Sequence, residues 1–291
     1  KEKFITYHRV SSHTWRCKMD RTWEVFAIKY AEFNNRVRSS NFLFEADHDS
    51  EHPIDCFVWV LRSGSEIILV DTGFDLDEAK RRSRPILREP QNALGAIGIS
   101  PKDIKKVIIT HLHFDHAGSL KDFPNAKFYL QSAEIAFATG PCMCEDILRM
   151  PYTGEHICDI VRHLYSGKVI FSDGDMEISP GVTVHSVGGH SRGLQAVRVK
   201  TQVGWLCLAS DASHFYENFM ARKPFPIVVD LQDAFKGYDK IQRLATEQSL
   251  VIPGHDPLIS RIFPRHERCE FVWRLDVGER EKFQTLTSNY T

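Results

Sequence analysis

The run of residues 110–118, with the sequence THLHFDHAG, constrains this chain more than any other feature. It holds three histidines and one aspartate within six residues, directly after a short β-branched strand. Imidazole and carboxylate groups are the usual ligands of borderline divalent metals. His111 and His113 are alternate residues that project to one side of an extended loop, whereas Asp115 and His116 come later and can turn towards a second position. The segment therefore indicates a metal site rather than a solvated polar loop.

Three later positions repeat one local pattern, in which an apolar strand ends at a small residue and a metal-ligand residue type follows. His190, Asp211 and His255 come after strands predicted at 182–187, 203–209 and 249–252. Any one of them alone would more often be an ordinary loop residue than a ligand. Their repetition, in order, behind the histidine-rich segment favours one composite metal site.

Charge, hydropathy and cysteine usage exclude several other classes of protein. The chain has 291 residues with 37 basic and 38 acidic side chains, so its net charge of −1 predicts no nucleic-acid or anionic-membrane partner. No apolar run approaches the roughly 20 residues that a membrane-spanning helix requires. The seven cysteines follow no disulfide-framework spacing, which predicts reduced thiols and a cytoplasmic protein.

The order of predicted elements is typical of a layered α/β protein with mixed sheets. A β-hairpin is predicted from the apolar runs 56–61 and 66–70. Further strands are predicted at 106–110, 127–130, 168–171, 182–187, 194–200, 203–209 and 249–252, and helical segments within 75–100, at 132–137 with Ser132 as N-cap, at 145–165 and at 232–246.

No repeat or linker divides the chain, so residues 1–291 are predicted to form a single domain. Within it we expect an N-terminal arm at about 1–50, a cap or pocket insert at about 137–165 and a C-terminal arm at about 262–291.

With these motifs the sequence resembles the metallo-β-lactamase superfamily over about residues 55–260. The matching segments are Asp71-Thr-Gly73, His111-Leu-His-Phe-Asp-His116, His190, Asp211 and His255. The resemblance implies an α/β (α+β) fold, namely a four-layer αββα sandwich of two mixed β-sheets with the metals at one edge between the sheets.

The resemblance also implies how two metal ions would be held. One metal would be held by His111, His113 and His190, and the other by Asp115, His116 and His255. Asp211 would bridge the two metals, and Asp71 would support the ligand loop without binding a metal itself. Zinc is the expected metal, with iron, manganese and cobalt as alternatives.

Within the superfamily the chain is most similar to the N-acyl-homoserine lactonases, through stretches such as residues 70–74, 189–195 and 210–213. The implied activity is dinuclear metal-dependent hydrolysis, in which a hydroxide shared by the metals attacks a lactone carbonyl and Asp115 or Asp211 helps to move the proton. Lactonases of this type are often dimers, so a homodimer is expected.

One departure from that family concerns the substrate. Lactonases commonly have a tyrosine three residues after the bridging aspartate, where it hydrogen-bonds the substrate carbonyl; here His214 occupies that position and Tyr216 lies two residues on. His214 or Tyr216 takes the catalytic role, His214 merely packs or faces solvent, or the substrate differs, with a cyclic amide (lactam) or another ester or thioester as the alternative. Aromatic and methionine residues are predicted to line an apolar substrate pocket, with ordinary core packing of any one of them as the alternative: Phe137, Met143, Met150, Tyr152 and Phe215.

Overall fold

The computed structural model describes residues 21–278 and 281–290, which form two β-sheets with flanking helices. The strands are β1 (Glu24–Phe33), β2 (Ile54–Ser63), β3 (Glu66–Val70), β4 (Lys106–Ile108), β5 (Lys127–Gln131), β6 (Val169–Ser172), β7 (Met176–Ser179), β8 (Val182–Ser186), β9 (Gln195–Thr201), β10 (Gly204–Ser210), β11 (Val251–Pro253) and β12 (Val272–Arg274). The α-helices are α1 (Leu76–Arg82), α2 (Pro90–Ala93), α3 (Ser132–Ala138), α4 (Asp146–Arg149), α5 (Gly154–Tyr165), α6 (Tyr216–Met220), α7 (Leu231–Leu244), α8 (Ile259–Ile262) and α9 (Glu281–Thr287).

Both sheets are mixed. The seven-stranded sheet has the order β12-β1-β2-β3-β4-β5-β6, with antiparallel pairs as far as β3 and parallel pairs from β3 to β6. The five-stranded sheet has the order β11-β10-β9-β8-β7, in which the β10–β11 pair alone is parallel. The predicted hairpin is present as β2 and β3.

The central strand β2 shows how the sheets are layered. Its Trp59 and Leu61 lie in the apolar cluster between the two sheets, together with Val197 of the opposite sheet. The alternate residues Val58 and Val60 lie in a second cluster beneath the outer helices. Because successive side chains of a strand point to opposite faces, β2 is buried on both sides and its sequence is almost continuously apolar.

Helices cover the outer face of each sheet. Helix α7 packs Ile241 and Leu244 into the cluster of the five-stranded sheet, and α5 packs Ile160 against the seven-stranded sheet. The predicted αββα sandwich is therefore confirmed. The helix predicted at 145–165 is interrupted at Pro151, because proline lacks the N–H that a continuous helix needs. Ser132 begins α3 rather than capping it.

The terminal segments differ from the predicted arms. Strand β1, within the predicted N-terminal arm, lies inside the seven-stranded sheet between β12 and β2. Strand β12, within the predicted C-terminal arm, forms the edge of that sheet, and Phe283 of α9 is buried in the inter-sheet cluster. Residues 1–20, which include Cys17, lie outside the described part of the chain. The cysteines that the structure describes are free thiols: Cys56, Cys142, Cys144, Cys158, Cys207 and Cys269.

No helix of the described ranges has the length and apolar character needed to cross a membrane.

A polar contact at the edge of the sandwich links its two sheets. The Glu66 carboxylate on β3 accepts hydrogen bonds from Arg21 Nη1 at 2.6 Å, Lys106 Nζ at 2.9 Å and Ser179 Oγ of β7 at 2.6 Å. Burial alone would raise the pKa of Glu66, but these three donors outweigh it and lower the pKa to about 2. The ionised carboxylate therefore stabilises the folded state.

Replacing Glu66 by glutamine should lower the free energy of unfolding by about 1–2 kcal/mol at pH 7, because two charge-assisted hydrogen bonds weaken. Since the pKa of Glu66 falls from 4.5 to about 2 on folding, this contribution is present above pH 4.5 and is lost as the pH falls towards 2. Melting temperatures measured against pH should show a gap between the wild type and Glu66→Gln that narrows below about pH 4.5.

The matched control is Glu177→Gln, on an exposed position of the neighbouring β7. It should leave the melting temperature unchanged at every pH. A Glu66→Gln gap that keeps its full size on acidification would contradict the assignment.

Candidate metal centre

The predicted metal ligands lie on loops at one edge of the sandwich, each after the end of a strand. His111, His113, Asp115 and His116 follow β4, His190 follows β8, Asp211 follows β10 and His255 follows β11. Both sheets therefore contribute to the cluster. All of these side chains are buried except Asp115, which is partly exposed.

The ligand atoms form two groups that share Asp211. In one group, single atoms of His111, His113, His190 and Asp211 all lie within 4.8 Å of one another. In the other group the same holds for His116, Asp211 and His255. Asp115 lies beside the second group, with its carboxylate 3.9 Å from His116 Nε2 and 3.8 Å from His255 Nε2.

Several polar atoms in this cluster are buried without a hydrogen-bond partner among the described residues. They are His111 Nε2, His116 Nε2, Asp211 Oδ1 and His214 Nδ1. An unpaired buried polar atom is costly, and three of them converge where imidazole nitrogens and carboxylate oxygens meet. Because these are the donor types that divalent metals prefer, the cluster fits a bound cation.

Asp71 holds the histidine-rich loop from behind. Its carboxylate accepts hydrogen bonds from the Thr110 N–H and the Thr110 hydroxyl, each at 2.7 Å, and lies 2.7 Å from His116 Nδ1. Pairing at Nδ1 leaves Nε2 of His116 facing the cluster. The Asp71 backbone has φ 61°, a left-handed conformation that is strained for a residue with a Cβ and is typical of functional sites.

Backbone carbonyls fix two further imidazoles. His190 Nδ1 lies 2.7 Å from the Ile227 carbonyl, and His255 Nδ1 lies 2.9 Å from the Asp55 carbonyl. A carbonyl can only accept, so Nδ1 carries the proton in both rings. The Nε2 atoms of both rings then face Asp211, and an Nε2 that carries no proton can bind a metal there.

Gly254, the small residue before the ligand His255, is required at its position for steric reasons. A Cβ on Gly254 would lie 2.7 Å from Asp211 Oδ1 and 2.9 Å from the carbonyl carbon of Ser210. Glycine at this position lets the β11 loop approach the shared carboxylate. Ser210 itself has φ 48°, so the backbone on the other side of this contact is also strained.

Burial and neighbouring charges set the protonation of the histidines. Burial lowers the pKa of His111 and of His113 well below the usual range, so both imidazoles are neutral. Burial alone would also lower the pKa of His116, but the Asp211 and Asp71 carboxylates raise it well above that range.

His214 and Tyr216, the two candidates for the role of the lactonase tyrosine, lie in different places. The His214 ring stacks on Phe225 with centroids 3.5 Å apart, and its Nε2 lies 3.0 Å from Asp211 Oδ2. Tyr216 is buried on the inter-sheet side, where its ring packs against Phe219 and Phe283. His214 therefore lies at the cluster, and Tyr216 does not.

A cleft opens beside the cluster and encloses about 470 Å³, including solvent at its mouth. His113, Asp115, His190, Asp211, His214 and His255 form its floor. The walls are Phe33, Arg36, Ile54, Arg84, Phe114, Pro151, Phe225 and Ile227.

None of the five predicted pocket residues lines this cleft. Tyr152 packs edge-on against His113 and Phe137 packs behind Tyr152. Phe215 packs against His52, Met143 is partly buried against the outer helices, and Met150 is exposed. An aromatic or methionine residue near a ligand in sequence can equally pack behind the ligand loop, and the contact of these five residues with a substrate stays a prediction.

Sequence reasoning missed Glu134, a fully buried carboxylate in the first turn of α3. It accepts hydrogen bonds from the Leu112 N–H at 3.0 Å, the Gly193 N–H at 2.8 Å and the Ser191 hydroxyl at 2.7 Å. It therefore ties the loop of His111 to the loop of His190. The sequence signal that could have identified Glu134 is an acidic residue on the buried side of a short helix.

Comparison with known proteins agrees with this fold and site. The family model described as "Metallo-beta-lactamase superfamily" matches residues 53–255. The chain is 31% identical over 233 residues to an N-acyl homoserine lactonase of Bacillus thuringiensis, covering 74% of this chain and 86% of that protein. It is 25% identical over 222 residues to a probable metallo-hydrolase of Mycobacterium bovis, covering 69% and 71%.

Solved structures give the same result. A crystal structure of a quorum-quenching N-acyl homoserine lactone lactonase superposes with a TM-score of 0.67 at 28% identity, covering 82% of this chain and 95% of that one. An N-acyl homoserine lactone hydrolase with N-hexanoyl-L-homoserine bound at its catalytic metal centre gives 0.67 at 25% identity, with the same coverage.

The sandwich and its histidine–aspartate cluster define a metal-dependent hydrolase that binds divalent metal. The chain belongs to the metallo-β-lactamase superfamily, as its sequence motifs predicted, and it is close to the lactonases of that superfamily.

Asp71→Asn should weaken zinc binding by about 10- to 100-fold, because the amide no longer supplies the charged acceptor that orients His116. Competition with a chromophoric chelator measures this change. Asp276→Asn is the control, since Asp276 is also a buried carboxylate but accepts the Val25 N–H away from the cluster. Equal zinc affinity in both variants would contradict the role given to Asp71.

Proposed function

We propose that this protein is a dinuclear metal hydrolase that opens a lactone ring of the N-acyl-homoserine-lactone type. The observation that carries the proposal is the direction of the two Asp211 oxygens. Oδ2 lies 3.2 Å from His190 Nε2, whereas Oδ1 lies 3.2 Å from His116 Nε2 and 3.1 Å from His255 Nε2. One carboxylate oxygen thus faces each histidine group, as a ligand shared by two metals requires.

The residues of the two groups would hold two divalent ions, with zinc proposed and iron, manganese or cobalt as alternatives. His111, His113 and His190 would hold one ion, Asp115, His116 and His255 the other, and Asp211 both. Bound there, the ions would supply an activated water near neutral pH and positive charge at the substrate carbonyl oxygen.

Asp115 and His214 are the proposed catalytic groups of the cleft. Asp115 is the partly exposed carboxylate on the floor, so it can take a proton from the attacking water and pass it to the leaving alkoxide. His214 also lies on the cleft floor, and its Nε2 is fixed against Asp211. We assign to His214, rather than Tyr216, the contact with the substrate carbonyl.

The lactone substrate is supported by the relatives and by the cleft. Relatives named as N-acyl homoserine lactonases cover most of this chain, and one related structure holds a ring-opened homoserine product at its metal centre. The cleft walls are largely aromatic and aliphatic, which suits a small ring with an apolar substituent. The homodimer and the cytoplasmic location expected from the sequence stay predictions.

Zinc-loaded protein should hydrolyse acyl-homoserine or aryl lactones faster than lactams or a thioester in a panel of matched substrates. Asp211→Asn should lower kcat/KM by more than the roughly 100-fold typical of an outer-shell change, because it weakens a ligand of both ions. Metal content measured on the same samples should fall below two equivalents.

The control is Asp239→Asn, an exposed carboxylate that pairs with Arg222 outside the cleft. It should keep both turnover and metal content. Clear lactam turnover without lactone turnover would overturn the substrate assignment. Wild-type turnover by an Asp211→Asn protein that has lost metal would overturn the dinuclear mechanism.

A further inference from the structure

Two arginines line the wall of the cleft. Arg36 follows β1 and Arg84 follows α1, and both line the same space as His214 and Asp115. The carboxylates among the described lining residues are Asp115 and Asp211, and both lie on the floor among the histidines. The two guanidinium groups therefore add positive charge to an otherwise apolar wall.

Arg36 is held in place by a buried polar contact. Its Nε donates to Asn41 Oδ1 at 2.7 Å and its Nη2 donates to the Ser40 carbonyl at 2.5 Å. Asn41 is fully buried, and its own amide donates to the His52 carbonyl at 2.7 Å. These contacts fix the guanidinium plane through Nε and Nη2. Nη1 donates no hydrogen bond to the described residues, so its N–H groups are free for a ligand.

Neither arginine is neutralised by a carboxylate in the described ranges. Arg36 donates its hydrogen bonds to the Asn41 side-chain oxygen and the Ser40 carbonyl. Arg84 packs on the Phe33 ring, with its guanidinium carbon 4.9 Å from the ring centroid. Burial and the positive charge of Arg84 lower the pKa of Arg36 to about 10, so it stays charged at neutral pH. Two like charges lining one cleft repel each other until an anion lies between them.

We infer that Arg36 and Arg84 form an anion subsite, and that the substrate is a lactone with a carboxylate outside the ring bond that is cleaved. This inference rests on the proposed opening of a lactone ring; because an N-acyl-homoserine lactone has no carboxylate outside its ring, it changes the preferred substrate from that neutral type to a carboxylate-bearing lactone. A guanidinium binds a carboxylate through paired N–H donors, and such charge-assisted pairs are stronger than neutral hydrogen bonds. The apolar walls would hold the ring while the arginines orient it over the cluster.

The test compares two γ-butyrolactones that differ in one group, a ring carboxylate or the matching carboxamide. Zinc-loaded wild type should prefer the carboxylate by about tenfold or more in kcat/KM, mainly through KM. Arg36→Gln and Arg84→Gln should each remove most of that preference, because kcat/KM should fall much further for the carboxylate than for the carboxamide. Arg84 is exposed, so its substitution tests the subsite even if Arg36→Gln folds poorly.

Arg162→Gln is the matched control, since Arg162 is exposed on α5, pairs with Asp159 and does not line the cleft. It should keep the wild-type preference. A wild type that treats the two lactones equally, or arginine variants that keep the preference, would overturn the subsite.

A binding measurement separates this inference from the hydrolytic activity. Isothermal titration of zinc-loaded protein with 3-oxocyclopentane carboxylate and its carboxamide uses rings that cannot be hydrolysed. The carboxylate should bind about tenfold more tightly to wild type and lose that advantage in Arg36→Gln and Arg84→Gln. If the carboxylate still binds more tightly than the carboxamide in both variants, zinc coordinates it directly and the subsite is overturned. If the binding results are as expected but the protein hydrolyses no lactone, only the proposed function is overturned.

Discussion

The buried Asp211 carboxylate is the constraint on which the rest of the site depends. Burial alone would raise its pKa, but the surrounding imidazoles lower it well below the usual range, so the carboxylate is ionised inside the protein. The imidazole nitrogens that face it within 4 Å belong to His111, His116, His190, His214 and His255. A charge this deeply buried is stable only when its partners are held in position, and the surrounding fold provides that support.

The two sheets supply that support together. The side-chain amide of Gln195, on β9, donates to the Ile109 carbonyl at 2.8 Å, and its backbone N–H donates to the Thr110 carbonyl at 3.0 Å. These bonds join the five-stranded sheet to the start of the histidine-rich loop. Glu134 then joins that loop to the loop of His190. The geometry of the cluster is therefore a property of the sandwich, not of any single loop.

The sequence allowed the fold and the clustered residues to be predicted because their signals are local. His111, His113 and His116 lie within one loop, and the later candidates each follow a recognisable strand and a small residue. The cleft walls could not be predicted in this way, because Arg36 and Arg84 reach the cleft through the paths of β1 and α1.

Strand β1 itself was overlooked as a core element because polar residues interrupt it. Lys29 interrupts the apolar run of this strand, but its ammonium group pairs with the buried Asp55 carboxylate at 2.7 Å and with Glu32 at 2.6 Å. The sequence of a strand does not show whether a residue on another strand neutralises its charged side chain. The sequence alone therefore could not distinguish β1, a core strand, from a peripheral N-terminal arm. The same limit applies to Glu134, whose partners come from two distant loops.

Anomalous X-ray scattering at the zinc edge, from crystals of zinc-loaded protein, would show whether Asp211 is shared by two metal ions. We expect two peaks, one beside His111, His113 and His190 and one beside His116 and His255, each about 2.0–2.2 Å from a different oxygen of Asp211. A single peak, or two peaks of which only one contacts Asp211, would contradict a carboxylate shared by two metal ions.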